Sequence, residues 1–444
     1  MIDKDIIRDE LICCLSVVLK KNKRKLDTIF VKDVTQMNSL QLIHFISKIE
    51  SKFNIKINDD LFSNRMGISD LCRLIKKNKN IHKNISIKKR THFPKIHRGL
   101  KNIYIDKTKI CHIDGKNSLL KYRGYAIQNL VEEYSFENVV NLLIDGKISS
   151  NHVNIYSLKQ NHKWIKKNFE AKYINNHSHF ETLKYIIQSP EMKNLIKINK
   201  ITSFEVLNFL KQVIHIFFYI SSKKNIYDVN FNLGIPNIIS NFILQKNHRD
   251  ERDKIIEKIM ILQAEHGLNA STFTARIATS SEANCTSALA AALNVFEGKI
   301  HGGAITRSLD FIHTLNSSRN ISFIDKALDE GIAIPGFGHR VYKNQDPRAI
   351  ILRKIANKIC QSNSGKNLLH TLEMAREKIV NKTNGVLDAN VDLYVGIIFK
   401  ELGVSKNMLL PIFAISRLTG WIAHIKEQNT NNILIRPRLF YDGK

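Results

Sequence analysis

Between positions 71 and 105 the chain carries eleven Lys and Arg residues and no Asp or Glu. Like charges at that density repel one another and tend to keep a segment extended, so this stretch looks like a linker between the residues on its N-terminal side and those on its C-terminal side. The two sides obey different patterns. Ahead of it, Ile6, Ile7, Leu11, Leu15, Val18 and Leu19 recur at helical spacing. Leu40, Ile43, Ile46, Ile49 and Phe53 do so again behind Gln36-Met37-Asn38-Ser39, where Asn38 or Ser39 can cap a helix, and residues 68–75 make a last short helix. These predict a helical bundle over 1–80, a basic linker over 81–98 and a separate region over 99–444. In that region nearly every segment from Phe204 onward has a 3.6-residue period, Ala-rich 287–295 suggests closely packed helices, and alternation of period two is scarce. The expected fold class is mostly α, with no internal repeat.

With 444 residues, 43% of them hydrophobic, the chain can bury at least one large core. Its six Cys show no Cys-x-x-Cys spacing and no His placed to complete a zinc quartet, so reduced thiols, a cytoplasmic location and no metal are expected. The start, Met1-Ile2-Asp3-Lys4-Asp5, lacks a basic segment ahead of an apolar run. The longest apolar stretches, 11–19, 213–220 and 408–415, fall short of a bilayer span, and no membrane partner is expected. The net charge of +28 admits a polyanionic partner such as nucleic acid. Lys, Asn and Ile recur throughout, however, so biased composition is the preferred reading and nucleic acid is not an expected partner. A non-catalytic binding protein that uses residues 71–105 stays as an alternative.

The first unit resembles an acyl carrier protein: a long loop, a Ser heading the second helix, then Phe53-Asn54-Ile55-Lys56-Ile57-Asn58-Asp59-Asp60 and a closing helix. The resemblance implies 4′-phosphopantetheine on Ser39 and a phosphopantetheinyl transferase as partner. Two departures stand against it. Asn38 occupies the place of the family's Asp, and Glu50 is the sole acid of the second helix. A plain helix cap explains Asn38 and Ser39 without a prosthetic group.

Beyond the linker a series of patches falls in a fixed order: Asp114-Gly115-Lys116 with Tyr122-Arg123-Gly124-Tyr125; Ala264-Glu265-His266-Gly267-Leu268-Asn269-Ala270-Ser271-Thr272-Phe273; Gly298-Lys299-Ile300-His301-Gly302-Gly303-Ala304; Gly336-Phe337-Gly338-His339-Arg340-Val341-Tyr342-Lys343-Asn344-Gln345-Asp346-Pro347-Arg348; Ala389-Asn390-Val391-Asp392-Leu393-Tyr394; Phe413-Ala414-Ile415-Ser416-Arg417; and Ile435-Arg436-Pro437-Arg438. No single patch is specific. Their order over residues 99–443 resembles the citrate synthase family.

That resemblance implies an all-α fold with a large domain (about 99–304 and 400–444) and a small domain (about 305–399) that closes to exclude water. It also implies a homodimer and a Claisen-type condensation. A methyl group beside a thioester is a very weak acid, so a carboxylate can deprotonate it only if a donor stabilises the enolate oxygen. By resemblance Asp392 is the base, His301 the opposed donor, and His339 the group that polarises the carbonyl of oxaloacetate or a related 2-oxo acid. His266, Arg348 and Arg417 would hold the keto acid and product, since an Arg fork suits carboxylates. Arg436 would reach the neighbouring subunit's ligand, while Lys343, helped by Arg340, would meet a phosphate of the coenzyme A thioester. Gly302-Gly303 and Gly336-Phe337-Gly338 would let the backbone approach the pantetheine arm. Taken singly, Asp392 reads as a helix-start cap and His301 as a turn residue; together and in this order they read as chemistry.

Departures border the acyl pocket. Ile305-Thr306-Arg307 stands where the family commonly has Asn then Glu, Val395 where Ser is usual, and Ala389 where Pro is usual. Acetyl-CoA is the expected donor and citrate the expected product; 2-methylcitrate synthesis, or a condensation fed by the chain's own carrier, is the alternative. A linker of about 18 residues spans at most roughly 60 Å extended, and about 23 Å if flexible, which permits delivery within the chain.

Overall fold

Apolar periodicity becomes helix wherever a cap is available to start it. Ser135, Ser178 and Thr202 each accept a hydrogen bond from the backbone three residues on, and the side chains of Asn138, Glu181 and Glu205 accept in turn from the cap's own N–H. Such capping boxes satisfy amide groups that a helix start would otherwise orphan. The computed structural model describes residues 4–19, 39–53, 55, 71–73, 75, 96–100, 103–148, 162–169, 178–193, 195–222, 233–245, 250–318 and 321–443. The chain divides into two units, Met1–Gly99 and Leu100–Gly443.

In the first unit, helices α1 (Lys4–Leu19) and α2 (Ser39–Phe53) pack on one another. Ile7, Leu11, Leu15 and Val18 of α1 meet Phe45, Ile46, Ile49 and Phe53 of α2, together with Leu71, Cys72 and Ile75. Ser39 is the first residue of α2; its side chain, residues 68–70 and 74 of the expected closing helix, and the linker from 81 to 95 lie outside the described residues.

The second unit opens with an antiparallel sheet of three short strands, β1 (Cys111–Asp114), β2 (Leu119–Tyr122) and β3 (Tyr125–Ala126), in which Cys111 faces Tyr122 and Asp114 faces Leu119. Strands of four residues are too short to display alternation, so periodicity alone missed them. Helices then dominate the described residues as far as Thr430, and a tail without regular structure follows. The longest, Lys406–Thr430, packs against Glu251–Ala264, Ala270–Ser280 and Cys285–Phe296.

By length and composition that helix could cross a membrane, which corrects the reading of 408–415 as a short apolar stretch. Its most apolar window is 94% buried inside the protein, with Trp421 wholly enclosed, so it is a core helix. Arg417 and His424 sit within it as buried polar groups.

Candidate active site

Three helix starts carry much of the site, and each has an Asn or Asp at its cap. Asn269 accepts from Thr272 N–H (3.1 Å), Asp346 from Arg348 N–H (3.0 Å), and Asn390 from Asp392 N–H (3.0 Å). The cap reading of Asp392 therefore fails for a simple reason: Asn390 already fills that role. The Asp392 carboxylate has no hydrogen-bond partner among the described residues and stays half-buried. Burial pushes its pKa up to about 6; Asp346 pushes in the same direction, while Arg348 and Arg417 pull it back.

His339 lies just past two glycines in the left-handed region, Gly336 (φ 84°) and Gly338 (φ 78°). At Gly336 a Cβ would stand 2.7 Å from the side chain of Leu393, so the close approach of this turn to the Asp392 helix demands glycine. Nδ1 of His339 accepts hydrogen bonds from the N–H groups of Val341 (3.0 Å) and Tyr342 (3.2 Å). The proton of the neutral ring is thereby assigned to Nε2. Burial, reinforced by Arg348, lowers the His339 pKa to about 4, so the ring is neutral at ordinary pH. Its centroid lies 5.1 Å from that of His266 and 4.7 Å from that of Tyr342, and His266 Nε2 shares a 3.1 Å hydrogen bond with the Tyr342 hydroxyl. Burial, then Arg348, His339 and Arg417, hold His266 well below the usual histidine range.

His301 occupies a tight turn in which a Cβ on Gly302 would strike the Phe296 ring at 2.6 Å. That ring meets the imidazole edge-on at 5.2 Å. The backbone N–H of Ser271 can only donate, and it points at His301 Nε2 (3.4 Å) with the Ser271 hydroxyl 2.8 Å from the same nitrogen. Nε2 is therefore assigned as the acceptor and Nδ1 as the N–H. Trp421 Nε1 donates to the Ser271 hydroxyl at 3.2 Å, holding it in place. Burial, with a push from Arg417, lowers His301 to about 4, again a neutral ring.

The two arginines differ in how their charge is met. Arg348 forms a bidentate pair with Asp346 (3.0 and 2.7 Å), both side chains being almost wholly enclosed. Burial alone would lower its pKa, but Asp346 overcomes this and raises it. Arg417 is 2% exposed, donates through Nε to the Gln263 carbonyl (2.6 Å), and lies over the Phe413 ring at 5.2 Å. No carboxylate pairs with it among the described residues. Burial lowers its pKa, Arg348 adds to that, and Glu265 opposes it. Arg417 also acts on His266, His301 and Asp392, and Arg348 on His266, His339 and Asp392, so these six groups share one electrostatic environment.

A family model described as citrate synthase, C-terminal domain, matches residues 99–438. The chain belongs to the citrate synthase family. It is 29% identical over 359 residues to the citrate synthase of Synechocystis sp., covering 78% of this chain and 90% of that one. It is 30% identical over 373 residues to 2-methylcitrate synthase 1 of Corynebacterium glutamicum, covering 78% and 95%. Among solved structures, the citrate synthase of Thermotoga maritima is similar with a TM-score of 0.65 and 28% identity over 79% of this chain and 96% of that one. A second model, phosphopantetheine attachment site, matches residues 9–75. This is a citrate synthase-like enzyme with a carrier-like domain ahead of it, and the non-catalytic reading gives way.

Not every expected residue of this family member converges. Lys343 and Arg340 are exposed; the Lys343 N–H is tied to the Gly115 carbonyl (2.8 Å). Arg436 lies on the exposed C-terminal tail, which is anchored through Asn432 and Ile435 to Ser280. Ser280 ends the helix that begins beside Ser271, roughly 14 Å away along its axis, and no contact joins Arg436 to His301 among the described residues. Sequence reasoning gave no role to Tyr342, Ser271, Asp346 or Trp421. Asp346 was findable, because Asp-Pro-Arg is a cap, a first-turn proline and an ion-pair partner in three letters. Trp421 was not, since nothing local says what its indole faces.

Proposed function

We propose that the chain condenses a short acyl thioester, with acetyl-CoA as donor, and oxaloacetate to give citrate and free thiol. The observation that carries this reading is Arg417: a buried guanidinium with a carbonyl and a ring for company but, among the described residues, no paired acid suits a carboxylate that arrives from solution. Arg348 and His266 stand close enough to share in holding a dicarboxylic keto acid, and His339 offers Nε2–H to its carbonyl oxygen.

Asp392 takes a proton from the methyl carbon, and the C–H pair becomes the C=C bond of an enolate whose oxygen accepts from His301 Nδ1–H. The enolate carbon then attacks the keto carbonyl carbon; the C=O pair moves to oxygen, beside His339, and that oxygen takes up a proton. Water adds to the thioester carbonyl of the condensed product, the C–S bond breaks, and the sulfur leaves as thiol. Neutral histidines suit these tasks, because a donor is needed and a cation beside Arg348 and Arg417 would be repelled.

Lys343 and Arg340, exposed on the loop after His339, suit phosphates of coenzyme A. Arg436 acts on a neighbouring subunit's ligand within a homodimer, and the domains divide near 304 and 400. Ser39, at the positive end of α2, would carry 4′-phosphopantetheine, whose phosphate a helix start favours; when attached, the arm supplies a thiol able to bear an acyl group. A propionyl donor is a second reading, favoured by the 2-methylcitrate synthase relative.

The test is thiol release from acetyl-CoA or propionyl-CoA in the presence of oxaloacetate, with the product identified by mass. Release that requires oxaloacetate is expected; no release with either donor overturns the proposal.

A further inference from the structure

Asp388 sits at a junction between the two loops that carry His339 and Asp392. Its carboxylate is held by a two-pronged contact from Arg376, a residue of helix Asn363–Lys382, with Nε at 2.6 Å and an Nη at 2.7 Å. The same carboxylate accepts from Gln345 Nε2 (3.0 Å), on the loop beyond His339. Its backbone carbonyl accepts from Gly338 N–H (2.8 Å), one residue before His339. Two residues further on, Asn390 N–H donates to the Gly336 carbonyl (2.9 Å) and Asn390 Nδ2 to the Gly338 carbonyl (3.1 Å), while Phe337 and Ala389 form an isolated antiparallel bridge. The two loops are thus zipped over residues 336–338 and 388–390, and Arg376 bolts the zipper to a helix outside the site.

We infer that Asp388 and Arg376, with Gln345, are positioning residues that set the distance between His339 and Asp392. None of them touches a reacting atom. The physical argument is that condensation needs the enolate carbon, left by Asp392, and the keto carbonyl, held by His339, at bonding approach; a small misplacement of either group is expensive. Neither Gly336 nor Gly338 is stiff, so the loop needs an external restraint, and a fork-to-carboxylate contact supplies direction as well as attraction. Arg376 is mostly enclosed and Asp388 nearly so, which limits screening by solvent. A neighbouring residue offers a comparison: Arg353 lines the same small cleft as Arg376 and Asp388, but its guanidinium reaches neither loop and pairs with Glu373, which in turn accepts from the Tyr394 hydroxyl (2.8 Å) and lies 3.8 Å from Arg376.

This inference rests on the proposed roles of His339 and Asp392. The experiment is steady-state kinetics of the full-length protein with oxaloacetate and acetyl-CoA from pH 5 to 9, alongside thermal midpoints. Asp388→Asn and Arg376→Gln should each lower kcat about 100-fold with both KM values little changed. The double variant should lose no more than the worse single, because the two act as one device. The acid limb of kcat should also move to lower pH, since a loosened loop admits water to Asp392. Arg353→Gln should lose stability without losing kcat. If kcat of Asp388→Asn falls no further than that of Arg353→Gln, or if the two single losses multiply in the double variant, the inference is overturned.

Should Asp388→Asn fail to fold, Gln345→Met and Arg376→Lys decide: a lower kcat and a displaced acid limb in both support it, and unchanged values in both overturn it. Full turnover by Asp392→Asn would sink the underlying reaction scheme, whereas an inert Asp392→Asn beside an unaffected Asp388→Asn sinks the positioning role alone.

Discussion

The two units of this chain bury different kinds of side chain. Among its described residues the N-terminal unit encloses aliphatic and aromatic groups and thiols, and no charged residue is fully buried there. The catalytic unit encloses Arg276, Arg348, Arg417, Asp346 and Glu265, each at 3% exposure or less. Taking an ion out of water costs several kcal/mol unless a partner repays it. Arg276 is met by Asp106, Glu427 and His424, and Arg348 by Asp346. Among the described residues Arg417 has no such acid. A bundle can be stable without buried charge; a site that handles dicarboxylates needs a charge whose partner comes and goes.

The largest effect that would sharpen this contrast is at Asp392. Replacing it, as Asp392→Asn, should lower kcat by about 1,000-fold or more. As the proposed base, Asp392 must be ionised in the unmodified protein, so activity should fall as pH drops through about 6. The same raised pKa has a stability consequence of opposite sense. Burying the charged form is unfavourable, so Asp392 destabilises the fold above pH 6, and the penalty fades as the group takes up a proton toward its ordinary value near 3.8. Asp392→Asn should therefore melt higher than the parent at pH 8 and match it near pH 4. Melting curves that keep the same gap at both pH values would count against the buried-carboxylate account.

Next in size is Arg417. Arg417→Lys keeps the charge but loses the fork, and a charge-assisted hydrogen bond of about 2 kcal/mol corresponds to roughly a 30-fold rise in KM for oxaloacetate. Arg417→Met, which removes an unpaired buried cation, should raise the melting point of the ligand-free protein and abolish stabilisation by oxaloacetate. If Arg417→Met is instead less stable than the parent without ligand, the charge is structural and the contrast between the units fails.

A smaller, local effect is expected in the carrier-like unit. Ile49→Ala leaves a cavity in its core and should destabilise that unit by about 2–4 kcal/mol, read as early exchange of its amide protons, with turnover of acetyl-CoA unaffected. Smallest of all is Ser39→Ala: no change in turnover with coenzyme A donors, but loss of the mass gain seen when the parent is coexpressed with a phosphopantetheinyl transferase. A parent that gains no mass under those conditions would reduce Ser39 to a helix cap.

Much of the candidate site was legible along the chain because the groups proposed to act there sit beside signals that act locally. Gly336 and Gly338 mark a turn, Asp346-Pro347 a helix start, and Asn390 a cap, and each places His339, Arg348 or Asp392 within three residues of itself. Ser271 and Trp421 carry no such mark. Ser271 meets His301 across 30 residues, and Trp421 meets Ser271 across 150. The hairpin of residues 111–126 was missed because its strands are shorter than the window in which alternation can be recognised.

Spacing and order of residues by themselves determined the mostly helical class, the family and the candidates for base, donors and clamps, since periodicity, capping and motif order are properties of neighbouring positions. Only the tertiary structure decided which imidazole nitrogen is assigned the proton in His339 and His301, that Arg348 is met by an acid while Arg417, among the described residues, is not, and that Asp388 ties the loops of His339 and Asp392 to helix Asn363–Lys382. Proton position and charge balance depend on atoms brought within about 3 Å of each other, and the fold alone assembles those neighbours from distant parts of the chain.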